Sequence, residues 1–390
     1  MKTYQTDVCI VGAGPAGMFT ALLLAKQGVD VLLLERHPSF DREFRGEVLQ
    51  IRFVQLMKQL GLNDYLQAQG RSVRIDGHDY YFKNEQTIHI EFQDLNPETP
   101  YSLWMSQPVM LDALMRKAQE FPSFQMWFNA GVKELIREED AVAGVIVEYE
   151  GEEVEVRARV TIGADGRFST VRRLLGAELE YEHYENDYLW FTANKPAGWP
   201  NYIRLVAHEK QNYIIFPRYP DTIQAGITMP KGQWKQVQER GIEALRAELA
   251  DASEAFVDFA AGLTDFEPFH ILQARLHFVK EWAQNGALLI GDAAHCAAPT
   301  GGIGVSLSVA TGVVAAQVVY EALQKGDVSA ARLGRVQELR GPEMRRIHET
   351  QKHQGRMGKA QMKHTPEFET RIKKMFVMED PLPIAPHFIF

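Results

Sequence analysis

Val8-Cys9-Ile10-Val11 is apolar at every position, the pattern of a parallel strand covered on both faces, and a glycine-rich turn, Gly12-Ala13-Gly14-Pro15-Ala16-Gly17, follows at once. Met18, Ala21, Leu22 and Ala25 then recur at helical spacing until Gly28, and Val31-Leu32-Leu33-Leu34 supplies a second apolar strand ending in Glu35. The opening thus predicts a βαβ unit. Val154, Val156, Ala158, Val160 and Ile162 alternate with other residues, a strand that runs into Gly163-Ala164-Asp165-Gly166. Ala287 to Ile290 is a further short strand, and it runs into Gly291-Asp292-Ala293-Ala294-His295-Cys296-Ala297-Ala298-Pro299-Thr300-Gly301-Gly302-Ile303-Gly304. A helix is expected from about Val305.

Elsewhere the pattern changes. Residues 73–103 and 181–280 are rich in strand formers and aromatics, among them Tyr80, Tyr81, Phe82, Tyr188, Trp190, Phe191, Tyr213 and Phe216, and read as a second, mostly β region. Acidic residues between 134 and 155 surround alternating Val and Ile, as in a solvated hairpin. Helix formers dominate from Arg332 to Lys374, and the apolar, proline-rich end from Pro381 to Phe390 is expected to dock on its own subunit or on a partner.

Each glycine of the first turn has a physical task. Gly12 permits the tight turn, Gly14 lets a pyrophosphate approach the backbone, and Gly17 lets helix and strand pack closely. The start of the helix, with Pro15 and Ala16, faces the phosphates, and Glu35, 18 residues after Gly17, is placed to accept hydrogen bonds from a ribose diol, with Arg36 beside it. Strand, turn, helix, second strand and terminal carboxylate together indicate a dinucleotide site. A glycine turn without a ligand is the competing reading.

The length of 390 residues calls for two or three domains. A balance of 42 Lys+Arg against 51 Asp+Glu gives a net charge of −9, which repels phosphate backbones and makes nucleic acid an unfavourable partner. Only Cys9 and Cys296 occur, without disulfide or metal spacing, which fits a reducing cytoplasm and predicts no metal site. No membrane span is expected, and Val8 to Val11 leads into a glycine turn instead of a cleavage site.

With the turns at Gly12, Asp165 and Asp292 in this order, residues 5–325 resemble the flavoprotein aromatic hydroxylases, the family typified by para-hydroxybenzoate hydroxylase. The resemblance implies an α/β fold: a Rossmann-like FAD-binding domain from residues 1–72, 104–180 and 281–325, a mostly β substrate domain from 73–103 and 181–280, and a C-terminal helical region and tail from 326–390. It implies FAD as cofactor and NAD(P)H as cosubstrate. Asp292 would bond the ribityl chain, Pro299, Gly302, Ile303 and Gly304 would bring backbone to the flavin ring, and Asp165 would lie near the pyrophosphate and serve the nicotinamide donor. Arg45 and Gln107 stand where the family has an Arg and a Gln touching FAD. A solvated charge and a helix-start residue are the alternatives. The chain departs from the family at Ser306 and Thr311, where Asn and Asp are usual.

The activity so implied is hydroxylation of an aromatic or polycyclic small molecule: NAD(P)H reduces FAD, O2 adds to the C4a carbon, and the hydroperoxide delivers OH to an electron-rich ring. No catalytic base is assigned. His295 reads as packed or capping, Cys296 as a small buried hydrophobe, and Arg218 as a candidate substrate contact. A C=C-reducing flavoprotein of the same fold and a non-catalytic flavin-binding module are the alternatives. The halogenase motif Trp-x-Trp-x-x-Pro is absent, since none of the six Trp residues has a Trp two positions away. A monomer or a homodimer is expected.

Overall fold

In the computed structural model, residues 1–41, 48–82, 85–182, 184–208, 211–356 and 365–390 are described. Its central sheet runs Ala283–Gln284, Ala287–Leu289, Glu152–Gly163, Lys2–Val11, Val31–Leu34, Phe124–Trp127. All neighbours after the first pair are parallel. Strands Gly131–Glu138 and Ala141–Tyr149 continue antiparallel from Glu152–Gly163, so the acidic segment forms the hairpin its alternation predicts. The first strand is longer than its apolar run because Lys2 to Thr6 pair with Val154 to Ala158 at that hairpin's base.

The helix Pro15–Lys26 is buried from Ala16 to Ala25, because the sheet covers one side and the helix Gly304–Lys325 the other. Gly312 makes this crossing close: a Cβ there would lie 2.7 Å from the Ala16 carbonyl oxygen. Thr20 Oγ1 donates across it to the Gly312 carbonyl at 3.0 Å. The 22 residues of the Gly304–Lys325 helix, with mean hydropathy 1.4 in the most apolar window, are long and apolar enough to cross a bilayer, yet 78% of that window is buried inside the protein. It is the core helix against which the cofactor-type βαβ unit packs.

A second sheet of seven strands runs His270–Leu272, Asn186–Asn194, Thr222–Pro230, Asn212–Arg218, Tyr202–Ala207, Gly77–Phe82, Glu85–Glu91. Its outer face has its own core, in which Phe191, Ile215, Ala225 and Ile227 meet Leu245, Leu249 and Phe256. Those last residues belong to helical segments within 234–262, where the sequence suggested mostly strand. The sheet is aromatic on both faces, so one face needs a helical cover. The inner face, with Tyr80, Trp190, Ile203 and Phe216, joins the main core. Segment 73–103 divides as well: Ser72–Ile75 and Ser102–Met105 pair with each other, and Ser102–Met105 also pairs with Val48–Leu49, in a separate three-stranded sheet.

The C-terminal helices Arg335–Arg356 and Pro366–Phe376 form where helix formers predict them. The apolar end docks on its own chain: Phe388 is buried, and the Phe390 N–H donates to the Leu60 carbonyl at 2.9 Å.

Candidate active site

The three glycines of the first turn separate by geometry. Gly12 has φ +103°, and a Cβ on it would lie 2.6 Å from the Ala164 carbonyl oxygen; on Gly17 it would lie 2.0 Å from the Gly12 carbonyl oxygen. These two are required by packing. A Cβ on Gly14 would meet no protein atom within 4 Å, so its lack of a side chain leaves open space at the N-terminus of the Pro15–Lys26 helix. Glu35 is buried at the end of its strand. Its carboxylate accepts the Ala13 N–H at 3.1 Å and the His37 N–H at 3.1 Å. Arg36 is exposed, and its Nε donates to His37 Nε2 at 3.1 Å.

Asp165 lies against the same turn, its Cα 2.7 Å from the position of a Gly12 Cβ. Its carboxylate, however, faces the helix Thr170–Leu175, accepting the Ser169 hydroxyl, the Thr170 N–H at 2.6 Å and the Val171 N–H at 3.1 Å. Burial raises its pKa, opposed by these donors. The side chain acts as a helix cap, and what it presents to the turn is backbone.

The turn Gly291–Ala293 reaches the same helix start from the other side, where a Cβ on Gly291 would sit 2.8 Å from Ala16 Cβ. Asp292 accepts the Ser308 hydroxyl at 3.3 Å. Two residues that sequence reasoning did not single out hold this turn. Arg172, buried, donates to the Ala293 carbonyl at 3.0 Å, and His277 Nε2 donates to the Asp292 carbonyl at 3.0 Å. Arg172 stands in the run that begins at Asp165, but nothing local says that its guanidinium crosses to a turn 121 residues away. His277 is held neutral, its pKa lowered to about 4 by burial and then by Arg172.

Gly301 and Gly302 both have positive φ, +85° and +62°, and the Gly302 N–H donates to the Pro299 carbonyl at 2.9 Å. This turn delivers Ile303, fully buried, and Gly304, which begins the long helix with no protein atom within 4 Å of a Cβ position. In the first turn of that helix Ser306 is buried and its hydroxyl has no partner among the described residues. Distant segments hold the loop in place. Gln351, fully buried, accepts the Ala298 N–H at 3.0 Å and donates to the carbonyls of Ala298 at 2.9 Å and Thr300 at 2.8 Å. Gln50 donates to the Gly301 carbonyl at 2.9 Å. The Thr300 hydroxyl bonds those of Tyr184 and, at 3.3 Å, Tyr188, tying the loop to the large sheet.

Thr311, one of the departures, bonds His295: His295 Nε2 lies 2.8 Å from Thr311 Oγ1, which donates to the Leu307 carbonyl at 3.0 Å, so Nε2–H is the donor to the hydroxyl. His295 is buried against Trp282 and its pKa lies well below the usual value through desolvation, as a packed His requires. Cys296 and Cys9 are buried thiols whose pKa burial pushes up, that of Cys9 to about 12. Gln107 is the first residue of the helix Gln107–Ala118, two residues beyond the strand Ser102–Met105. Arg45 lies outside the described residues. Arg218 is half-buried on the inner sheet face, stacked 5.5 Å from the Trp104 ring, with Nη1 donating to Thr192 at 2.7 Å.

Comparison with known proteins gives these features a context. A family model described as FAD binding domain matches residues 5–349. The chain is 32% identical over 357 residues to 6-methylpretetramide 4-monooxygenase of Streptomyces rimosus, covering 90% of this chain and 84% of that protein. It is 26% identical over 344 residues to digeranylgeranylglycerophospholipid reductase 2 of Methanococcoides burtonii, covering 85% and 79%. Among solved structures, Pseudomonas aeruginosa PqsL in complex with 2-aminobenzoylacetate superposes with TM-score 0.79 at 21% identity, covering 95% of this chain and 99% of that one.

Proposed function

We propose, from the premise that this chain belongs to the FAD binding domain family, that it is a monooxygenase using NAD(P)H and O2 to hydroxylate a polycyclic aromatic small molecule. The observation that carries the reading is the convergence of the open Gly14 turn, the Asp292 turn and the glycine-led start of the Gly304 helix beside an aromatic sheet face. The likeness to 6-methylpretetramide 4-monooxygenase, over most of both chains, favours oxygenation of a fused-ring phenol over the reductase alternative.

The residues present fit FAD. Gly14 and Gly304 leave room where any other residue would place a Cβ, and the Ser306 hydroxyl is a buried polar atom that a ligand would satisfy. In this assignment the Gly14-Pro15-Ala16-Gly17 helix start faces the pyrophosphate, with Gly12 and the Asp165 backbone shaping the turn and Glu35 and Arg36 at the ribose end. Asp292 faces the ribityl chain. Pro299, Gly302, Ile303 and Gly304 present backbone to the flavin ring, with Gln107 and Arg45 as further contacts. Residues 1–72, 104–180 and 281–325 then form the FAD-binding region, residues 73–103 and 181–280 the substrate region and residues 326–390 the C-terminal buttress.

FAD held by these residues would supply hydride acceptance from NAD(P)H and activation of O2. The chain's own part is placement. The first N–H groups of the Gly304–Lys325 helix have no carbonyl partner within the helix, and its positive end would favour negative charge on a group held there. Gln351, Gln50 and Thr300 fix the loop leading to that helix end, and the buried inner sheet face excludes water from the substrate ring. Reaction under ¹⁸O2 with a panel of polycyclic phenols, read by mass spectrometry, tests the reading: one labelled oxygen per product is expected. Saturation of a double bond without label would replace it with the reductase.

A further inference from the structure

The inner face of the seven-stranded sheet carries buried polar atoms that no protein group among the described residues satisfies. Thr192, Gln224 and Phe216 lie in one register row, and Trp190, Gly226 and Ile214 in the next but one, so their side chains share a face. Gln224 is fully buried. Its Oε1 accepts the Trp104 indole N–H at 3.3 Å. An indole nitrogen only donates, so this bond fixes the amide orientation and leaves Nε2 as the donor. Nε2 is buried without a partner, and so is the indole nitrogen of Trp190. Trp190 is itself held in place: its ring covers Gly226, where a Cβ would lie 2.6 Å from Cζ3.

The other polar groups of this patch point the same way chemically. Thr192 Oγ1 already accepts from Arg218, and Arg218 brings only donors. Around them Leu205, Ile214 and Tyr188 keep partial exposure on a face that otherwise joins the main core, and Tyr188 reaches the Thr300 corner. An apolar floor thus ends in a wall of donors. Unpaired buried donors are costly, and an acceptor oxygen on a ligand removes the cost. A site of this kind discriminates strongly against an analogue lacking the acceptor, whereas apolar contacts alone discriminate weakly.

We propose that Gln224 and Trp190 are specificity residues that select aromatic substrates bearing a ring-conjugated carbonyl, whose oxygen accepts from Gln224 Nε2 and Trp190 Nε1. The inference rests on the monooxygenase reading and adds a substrate class to it.

The test uses FAD-loaded enzyme and ligand pairs matched in ring skeleton and hydroxyl position: hydroxyanthraquinone against hydroxyanthracene, hydroxyfluorenone against hydroxyfluorene, and hydroxyxanthone against hydroxyxanthene. Dissociation constants are read from the flavin absorbance change on titration, without turnover. The carbonyl member of a pair should bind about tenfold or more tightly. Trp190→Phe keeps the ring over Gly226 and deletes only the N–H, and Gln224→Leu deletes the amide; each should shrink the preference while affinity for the carbonyl-free partner stays within about twofold and FAD occupancy is unchanged. Gln224→Glu still accepts from Trp104 but offers oxygen where nitrogen stood, and should abolish the preference. Equal affinity within every pair, including no binding of either member, overturns the inference while leaving FAD binding and oxygenation of other phenols intact. Failure to take up FAD overturns the functional reading itself, and this inference with it.

Discussion

Gly14→Ala and Gly17→Ala add the same methyl three residues apart and should fail in opposite ways. At Gly17 the new carbon would sit 2.0 Å from the Gly12 carbonyl oxygen, with Ala164 Cβ at 3.2 Å, so strand and helix must separate. Overpacking of this kind costs about 1–3 kcal/mol or more. At Gly14, φ is −69° and no protein atom lies within 4 Å of the added carbon. Two small terms then oppose each other: loss of a tolerable N-cap residue costs about 0.5–1 kcal/mol, and reduced freedom of the unfolded chain returns about 0.4–1 kcal/mol. Net stability of the FAD-free protein should barely move. FAD is another matter, because the methyl occupies the space through which a pyrophosphate approaches the backbone, and loss of its hydrogen bonds to charged oxygens costs about 1.5–3 kcal/mol, or roughly 10- to 150-fold in affinity. Thermal melting of the FAD-free protein and FAD titration by flavin fluorescence separate the two. Gly17→Ala should melt earlier by several degrees. Gly14→Ala should melt within about 2 °C of wild type yet need at least tenfold more FAD. A Gly14→Ala protein with undiminished FAD affinity would refute the reasoning, since the open space would then not be the cofactor's.

Asp292→Ala should weaken FAD about tenfold or more through loss of a charge-assisted bond; unchanged affinity by the same titration in a folded protein removes Asp292 from the site. Gln351→Leu strands three backbone groups of the Ala298–Thr300 loop and should destabilise by about 2–4 kcal/mol, read as a lowered urea midpoint with unchanged slope. His277 is neutral in the fold with its pKa lowered to about 4, against an ordinary value of 6.5. The unfolded chain therefore binds the extra proton first, so this contribution is complete above pH about 6.5 and falls as pH drops toward 4, by about 3 kcal/mol in all. His277→Gln should flatten that part of the urea-stability profile, and a profile identical to wild type would refute it.

The parts of the site legible in the sequence are those whose chemistry is local. Gly12, Gly14 and Gly17 are assigned by spacing alone; a Cβ on Gly12 or Gly17 would clash with backbone, and one on Gly14 would meet open space. The parallel order of the core strands follows from the same βαβ logic. Alternation also marks the strands of the second sheet, but a period of two says nothing about partners. Gly77–Phe82 pairs in parallel with Tyr202–Ala207 across more than a hundred residues, and no local signal announces it. Long-range side-chain bonds are equally hidden. Gln351, His277 and Arg172 look like ordinary surface residues of helix and strand until the fold brings each onto a cofactor-type turn. Asp165 illustrates the converse. Its cap on Ser169, Thr170 and Val171 is a local bond that the Asp-Gly-Arg-Phe-Ser-Thr spacing could have disclosed, and only the close approach of its backbone to Gly12 ties it to the cofactor turn.

The loop from Ala298 to Gly302 depends on segments that belong to none of the three motifs. Gln50 precedes the helix Ile51–Leu60, Gln351 is on Arg335–Arg356, and Met375, on the following helix, occupies the space a Gly301 side chain would need. Tyr188 comes from the large sheet, on the same strand and the same face as Trp190. One strand therefore touches both the corner that sets the start of the Gly304 helix and the wall argued to grip the substrate. This explains in packing terms why the C-terminal helices, which carry no motif, cannot be treated as an appendage: removing their hold on Ala298 and Thr300 leaves the turn from Pro299 to Gly302 fixed, among the described residues, by Gln50 and the two tyrosines. Two left-handed glycines, Gly301 and Gly302, make that turn dependent on these outside contacts for its shape.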